Sequence, residues 1–312
     1  MNLQEKRIVV TGGNGFLGRH VVARLRALGC RDVFVPRSAQ YDLTQAIAVE
    51  KLLLKQRPEV VLHLAATVGG IGANQRDPAK FFYDNLMMGC QLMEGCRRIG
   101  TEKFLTVGTT CSYPKNTPIP FRESELWNGY PEETTAPYGL AKKMLIVQAK
   151  TYRQQYDFHA IHLLLTNLYG PGDHFDLETS HVVPALIRKC LEAKQRREKV
   201  LSVWGTGRAT RDFLYVTDAV SAIISALERS EDPEPINVGS GVETPIASLV
   251  KLIANKVGFP GEIRFDPSRP DGQPRRCLDV TRAKELLSFR ATVSLSEGLD
   301  RTLRWYEGRQ AA

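Results

Sequence analysis

No run of apolar residues in the sequence approaches the roughly 18–20 that a membrane span requires. Met1-Asn2-Leu3-Gln4-Glu5-Lys6 runs straight into a strand-like segment and leaves no room for a signal peptide, so a cytoplasmic protein is expected. Cysteine is sparse: Cys30, Cys90, Cys96, Cys111, Cys190 and Cys277 are scattered without a CxxC pair. That argues against a disulfide framework or a zinc site, and no metal is expected. Five of the six read as small buried hydrophobes, with Cys111 set apart by its surroundings. There is no long Lys/Arg run either, although the net charge is +8. Dispersed cations suit a metabolite carrying a diphosphate better than a nucleic acid. Internal repeats and low-complexity tracts are also missing.

What remains is ordinary globular composition, 43% hydrophobic and 24% charged over 312 residues. That length suits one large α/β unit or two lobes sharing a cleft. Short apolar runs at Arg7–Val10, Val33–Val35, Val60–Leu64, Phe104–Val107 and His162–Leu165 alternate with helical patterns, the first carrying Leu17, Val21, Val22, Leu25 and Leu28 on one face. Continuous apolar strands between amphipathic helices imply a doubly wound parallel sheet. Between Pro114 and Pro137 the pattern gives way to a long polar, proline-containing loop, of a length that is usually functional or disordered. Beyond Asn167 the alternation loosens. Residues 1–166 are therefore expected to form a nucleotide-binding domain and 167–312 mainly a smaller substrate lobe, with a helix near 218–227 returning to the first sheet.

Thr11-Gly12-Gly13-Asn14-Gly15-Phe16-Leu17-Gly18 follows the first strand and opens the first helix. In Gly12-x-x-Gly15-x-x-Gly18 the first glycine permits a tight turn, the second a close approach to a pyrophosphate, and the third close helix–strand packing. The helix N-terminus then offers free N–H groups to phosphate. The second strand ends in Val35-Pro36-Arg37-Ser38, without the carboxylate that would grip a ribose 2′-hydroxyl. Arg37 and Ser38 thus favour the 2′-phosphate of NADP, unless Arg37 is merely a solvated surface residue. Asp42 is a candidate acceptor for the adenine amino group.

Tyr138-x-x-x-Lys142 places a phenol and an ammonium on one face of a helix expected over Gly139–Tyr156. A free phenol has a pKa of about 10 and is a poor acid–base group at neutrality. A neighbouring cation is expected to lower it. Upstream, Val107-Gly108-Thr109-Thr110-Cys111-Ser112-Tyr113 brings hydroxyls and a thiol to a strand end, the side on which doubly wound sheets bind ligands.

With Gly12, Gly15, Gly18, Thr109, Tyr138 and Lys142 in these positions, the chain resembles the extended short-chain dehydrogenase family. That family usually has Ser where Thr109 stands; Thr keeps the hydroxyl. Further segments narrow the resemblance: His63 to Ile71, Thr166 to Pro171, Ser180-His181-Val182-Val183-Pro184, Trp204-Gly205-Thr206-Gly207, Arg211 to Leu214 and Pro270 to Arg275. They are similar to the branch that epimerises and reduces a GDP-linked 4-keto-6-deoxy sugar. The C3 and C5 protons of such a sugar are acidified by the C4 ketone, and inverting both centres needs a base on one face and an acid on the other. The resemblance implies Cys111 as that base, His181 as the acid, and Tyr138, with Lys142 and Thr109, as the group that polarises the carbonyl and protonates O4.

For the cofactor, NADP(H), the resemblance adds Gly13, Asn14, Phe16, Leu17, Leu64, Ala65, Ala66, Val107, Gly108, Leu165, Asn167, Leu168 and His181. For the GDP-sugar it implies Asn167, Lys189, Trp204, Arg211 and Asp271; the family tends to have Arg where Lys189 stands, and a point charge replaces a bidentate fork there. It also implies a homodimer built on helices around Phe81–Arg97 and Gly139–Tyr156. Plainer readings stand beside these: Cys111 as a packed thiol, His181 as the cap of a helix beginning near Val182, Trp204 as core. A 4-epimerase that retains NAD, a 6-deoxy-heptose nucleotide reductase and a non-catalytic NADP-binding module are the competing functions.

Overall fold

The computed structural model describes residues 1–177, 179–269 and 271–310, with the backbone alone at 310. Pro270 of the Pro270–Arg275 segment, and residues 311 and 312 of the expected second lobe, lie outside the described residues. Strands and helices alternate through the first half: β1 (Ile8–Thr11), α1 (Phe16–Ala27), β2 (Val33–Phe34), α2 (Ala46–Gln56), β3 (Val60–His63), α3 (Ile71–Arg76), α4 (Pro78–Ile99), β4 (Lys103–Thr109), α5 (Ala136–Tyr156) and β5 (Ala160–Leu165). The second half continues with β6 (Asn167–Tyr169), α6 (Val182–Gln195), β7 (Val200–Trp204), β8 (Thr210–Tyr215), α7 (Val216–Arg229), β9 (Ile236–Val238), β10 (Glu243–Pro245), α8 (Ile246–Val257), β11 (Glu262–Asp266), α9 (Thr281–Leu287) and α10 (Leu295–Gln310).

Six strands form one parallel sheet in the order β2-β1-β3-β4-β5-β9. Apart from the half-buried edge strand β2 and two positions at the end of β4, its strands are buried because both faces are covered, which is why they read as apolar runs. Leu25, Val21 and Val22 of α1 pack with Ala222, Ile223 and Leu227 of α7 on one face. Leu52 and Leu53 of α2, Leu92 and Met93 of α4 and Leu145 of α5 cover the other. This is the doubly wound, Rossmann-type fold, and the strand order reverses between β1 and β3, where such folds open a ligand crevice. Among the described residues no helix is long and apolar enough to cross a membrane.

A second core gathers Ile187 and Cys190 of α6, Leu201 and Val203 of β7, Leu249 and Ile253 of α8, and Leu299 of α10. It supports two small sheets, β10-β8-β6 and β11-β7.

Three local features differ from expectation. Helix α5 begins at Ala136 with Pro137 in its first turn, where a missing N–H costs nothing, so Tyr138 lies inside the helix. The Pro114–Pro137 segment is packed: Tyr113, Phe121 and Leu126 are buried together, Tyr113 Oη donates to Asn237 Oδ1 at 2.8 Å, and Lys143 Nζ donates to the Leu126 carbonyl. Finally, Cys30, Cys96, Cys190 and Cys277 are buried, but Cys90 is only half-buried, on the side of α4 where its carbonyl accepts from Gln148 of α5.

Candidate active site

The glycine turn is shaped by steric necessity. Gly12 is left-handed (φ +69°), and a Cβ there would lie 2.6 Å from the Ala65 nitrogen; one on Gly18 would lie 2.1 Å from the Gly12 carbonyl oxygen. Any side chain would force β3 or α1 away, so the loop can be this tight only with glycine. Gly15 stands at the N-cap of α1 without a side-chain cap, leaving first-turn N–H groups for a ligand. The backbone therefore fits a dinucleotide pyrophosphate. Thr11 Oγ1 hydrogen-bonds with His63 Nδ1 (2.9 Å) and accepts from the Ala65 N–H (3.3 Å), tying the ends of β1 and β3 together.

The other cofactor candidates fall around the same edge. Asn14 is exposed, Gly13 buried, and Phe16 and Leu17 half-buried in the loop and first turn of α1. Leu64, Ala65 and Ala66 follow β3; Val107 and Gly108 lie near the carboxyl end of β4, and Leu165 ends β5. Asn167 and Leu168 lie on β6, where Asn167 Nδ2 donates to the Asp212 carbonyl at 3.0 Å. Arg37 and Ser38 are exposed just past β2. Asp42 Oδ1 accepts from the Thr44 hydroxyl (2.7 Å) and backbone N–H (3.0 Å), and these bonds hold its carboxyl below the usual range.

The thiol and the phenol meet where β4 abuts α5. Thr109 ends the strand, and its Oγ1 accepts from the Cys111 N–H at 3.2 Å. Ser112 Oγ donates to the Gly139 carbonyl at 2.9 Å, and a Cβ on Gly139 would lie 2.2 Å from the Cys111 carbonyl oxygen. Helix α5 therefore needs glycine next to Tyr138 to approach the β4 end so closely. The Tyr138 ring meets Phe81 edge-on at 6.3 Å. Lys142 is 1% exposed and interacts electrostatically with His63 and His162, two imidazoles in register across the sheet with Thr106 between them.

Burial decides the charge of most of these groups. It pushes Lys142 down to about 8 and His162 down to about 3, the latter with Lys142 adding its repulsion. The expected lowering of Tyr138 is reversed: burial raises it above the ordinary phenol value, and the charge of Cys111 adds to the rise. Lys142 opposes charging of the His63 and His162 imidazoles, and the phenol is held in its protonated form.

Cys111 behaves oppositely. Arg276 Nη1 donates to Cys111 Sγ at 3.3 Å. Burial opposes ionisation of this thiol, but the Arg276 charge and hydrogen bonds from Thr109, Thr135 and Arg276 outweigh it and lower its pKa. Arg276 is buried and anchored by Gln273 Oε1 at 2.6 Å. Neither Arg276 nor Thr135 is legible as a site residue locally, since only folding brings the 273–276 loop to the β4 end. The one available signal was the adjoining Asp271-Gly272-Gln273-Pro274-Arg275 segment.

That loop is tied to Arg211, whose Nη1 donates to the carbonyls of Thr210 and Gln273 (both 2.7 Å) and whose Nη2 donates to that of Asp271 (3.2 Å). Asp271 accepts from Thr206 N–H (2.7 Å) and Oγ1 (2.6 Å), so its carboxylate braces the Trp204–Gly207 turn. A Cβ on Gly272 would meet Ile71 Cδ1 at 3.1 Å, and the Gly70 N–H donates to the Thr179 carbonyl at 3.1 Å. The Gly69–Ile71 segment thus joins the Arg211 loop to the strand of chain leading into His181. His181 occupies the N-cap position of α6, makes no side-chain cap bond and is exposed as a residue. Atoms packed around the ring still desolvate it, and with His174 adding repulsion its pKa is lowered. Trp204 is 55% exposed, which rules out core packing; Lys189 Nζ and Arg269 Cζ lie 5.4 and 5.1 Å from its ring centre. An exposed indole flanked by two cations can stack a base beside a diphosphate. Arg269 lies beyond the residues that sequence reasoning singled out.

The sequence profile of the NAD dependent epimerase/dehydratase family matches residues 8–239. A GDP-L-fucose synthase of Sinorhizobium fredii is 44% identical over 297 residues, covering 95% of this chain and 94% of its own. A probable GDP-L-fucose synthase 1 of Oryza sativa subsp. japonica is 39% identical, with 96% and 92% covered. The solved structure of a GDP-L-fucose synthetase from Naegleria fowleri bound to NADP is similar in fold at a TM-score of 0.88, with 27% identity and 99% and 96% of the two chains covered.

Proposed function

The chain belongs to the NAD dependent epimerase/dehydratase family, and from that premise we propose that it converts GDP-4-keto-6-deoxy-D-mannose to GDP-L-fucose by inverting C3 and C5 and then reducing C4 with NADPH. Relatives bearing the GDP-L-fucose synthase name match it over nearly its whole length. The observation that carries the reading is the Cys111 thiol in the grip of Arg276 beside Tyr138. A simple reductase needs a proton donor at the carbonyl; a base whose ionisation is favoured at the same site is what epimerisation adds.

Ionised Cys111 removes the proton from a carbon next to the C4 ketone, and the electron pair moves to O4. His181 returns a proton to the opposite face of that carbon, which inverts it. The same pair serves both centres after exchanging protons with water. Tyr138, kept neutral by the packing around it, hydrogen-bonds O4 and gives it a proton when C4 is reduced, with Lys142 and Thr109 assisting. NADPH, held by the Gly12–Gly18 turn with Arg37 and Ser38 toward its 2′-phosphate, supplies the hydride. Lys189, Arg211 and Trp204 take the GDP end of the substrate, with Asn167 and Asp271 supporting it.

In this reading residues 1–166 chiefly bind the cofactor and 167–312 chiefly the sugar nucleotide. The chain works in the cytoplasm, in keeping with six free thiols. It pairs as a homodimer through α4 and α5, which leave Phe82, Tyr83 and Val147 exposed; light scattering gives the mass directly. The deciding assay incubates the protein with GDP-4-keto-6-deoxymannose and NADPH. Loss of NADPH absorbance with GDP-L-fucose as product is expected. Intact, cofactor-binding protein that consumes none would overturn the assignment.

A further inference from the structure

We propose that Arg276 is a positioning residue for this reaction: its guanidinium holds Cys111 as the thiolate that removes the C3 and C5 protons. The proposal rests on the epimerase–reductase reading above. Its first support is geometric, since Nη1 points at the sulfur at 3.3 Å from a side chain only 9% exposed. Among the described residues no carboxylate forms an ion pair with Arg276. A buried cation without a carboxylate is costly, and the group it faces gains by becoming an anion.

The guanidinium is also fixed in place. Gln273 Oε1 accepts from Arg276 Nε at 2.6 Å, Gln273 Nε2 donates to the Lys115 carbonyl at 2.8 Å, and the Arg276 N–H donates to the Thr210 carbonyl at 3.2 Å. Three separate stretches of chain therefore aim one side chain at one sulfur. The other polar groups facing the thiol are the Thr109 and Thr135 hydroxyls, the Tyr138 phenol and, further off, Arg211. Arg211 spends its donors on backbone carbonyls, so Arg276 is the cation with a donor on the sulfur.

The chain supplies its own controls. Burial pushes Cys96, Cys190 and Cys277 up to about 12, and Cys277 is the next residue after Arg276. Only the thiol that the guanidinium touches goes the other way. In the reaction, Cys111 first loses its proton to water. The thiolate then takes the proton from C3 or C5 while the bonding pair moves to O4, and the new thiol sheds that proton to water before the next centre is inverted. Arg276 touches neither carbon; it sets the fraction of Cys111 ready to act.

The test measures the rate of Cys111 alkylation by iodoacetamide against pH, read by mass spectrometry on the substrate-free protein. Wild type is compared with Arg276→Gln and Arg276→Lys. Removing an opposite charge at this distance should slow alkylation at neutral pH about tenfold or more and move the midpoint upward, with Lys restoring most of it. In turnover, deuterium incorporation at C3 and C5 should show a similar loss of kcat at neutral pH that is recovered as pH rises. An unmoved alkylation midpoint, with only KM for the GDP-sugar raised, would mean that Arg276 serves the diphosphate, and would overturn the proposal. If Arg276→Gln does not fold, Gln273→Leu frees the guanidinium while keeping its charge; a smaller upward shift is expected, and none at all would refute the aiming. Should wild type fail to turn over the sugar, the function is wrong, while alkylation still reports on Arg276 and Cys111 independently.

Discussion

Cys111 and Tyr138 sit side by side, both half-buried and both able to lose a proton, yet their surroundings drive them in opposite directions. On the Tyr138 side burial acts nearly alone: the phenol is raised, Lys142 drops to about 8, and His162 falls to about 3. On the Cys111 side a guanidinium and two threonine hydroxyls reverse the same penalty. The contrast teaches that depth by itself makes groups neutral, and that a charged base inside a protein needs a counter-charge aimed at it. It matches the proposed chemistry, in which an anion takes protons from carbon and a neutral acid gives one to oxygen.

The sharpest way to break the contrast is Cys111→Ser. A serine hydroxyl stays protonated even beside Arg276, so deuterium incorporation at C3 and C5 should fall about 10³-fold or more, while reduction of substrate already bearing the product configuration continues. Equal loss of both would merge the two halves. Tyr138→Phe is the mirror test: C4 reduction should slow by about 10²-fold or more, with C3 and C5 exchange near wild type. A stalled exchange would give the phenol a part in epimerisation.

Smaller effects probe the periphery. Trp204→Ala removes a stacking surface worth about 1–3 kcal/mol, so KM for the GDP-sugar should rise about tenfold with kcat little changed; an unaltered KM would detach the indole from the substrate.

Asp173 extends the comparison to a carboxyl that burial dominates. One oxygen accepts from the His174 N–H at 2.7 Å, the other has no hydrogen-bond partner among the described residues, and its pKa is pushed up to about 7, chiefly by burial. Because the folded value lies above the ordinary 3.8, the folded state binds the extra proton, and stability falls as pH rises from about 4 through 7. Asp173→Asn should therefore be more stable than wild type at pH 8, by a few kcal/mol at most (~1.4 per pKa unit), and equal to it near pH 4. Thermal melts at the two pH values decide this; a variant less stable at pH 8 would show that the carboxylate has a partner worth keeping.

Much of the fold was legible because its signals are local. The strand–turn–helix around Gly12, Gly15 and Gly18 depends on residues within one turn of each other, and buried parallel strands announce themselves as apolar runs. Tyr138 and Lys142 share a helix, so their spacing could be read. The direction of the phenol's shift could not, because Lys142 turned out to act on His63 and His162, which come from two other strands. The Pro114–Pro137 segment reads only as a long polar loop because the partners of its Phe121, Asn237 and Leu278, lie more than a hundred residues away.

The sequence by itself determined the doubly wound sheet, the glycine cradle and the identities of the groups able to do acid–base work, all consequences of short-range sterics, hydrophobic period and side-chain chemistry. Tertiary structure alone decided which way the pKa of each of those groups moves. Protonation depends on burial and on which cation faces which acid, and Arg276 reaches Cys111 from 165 residues away.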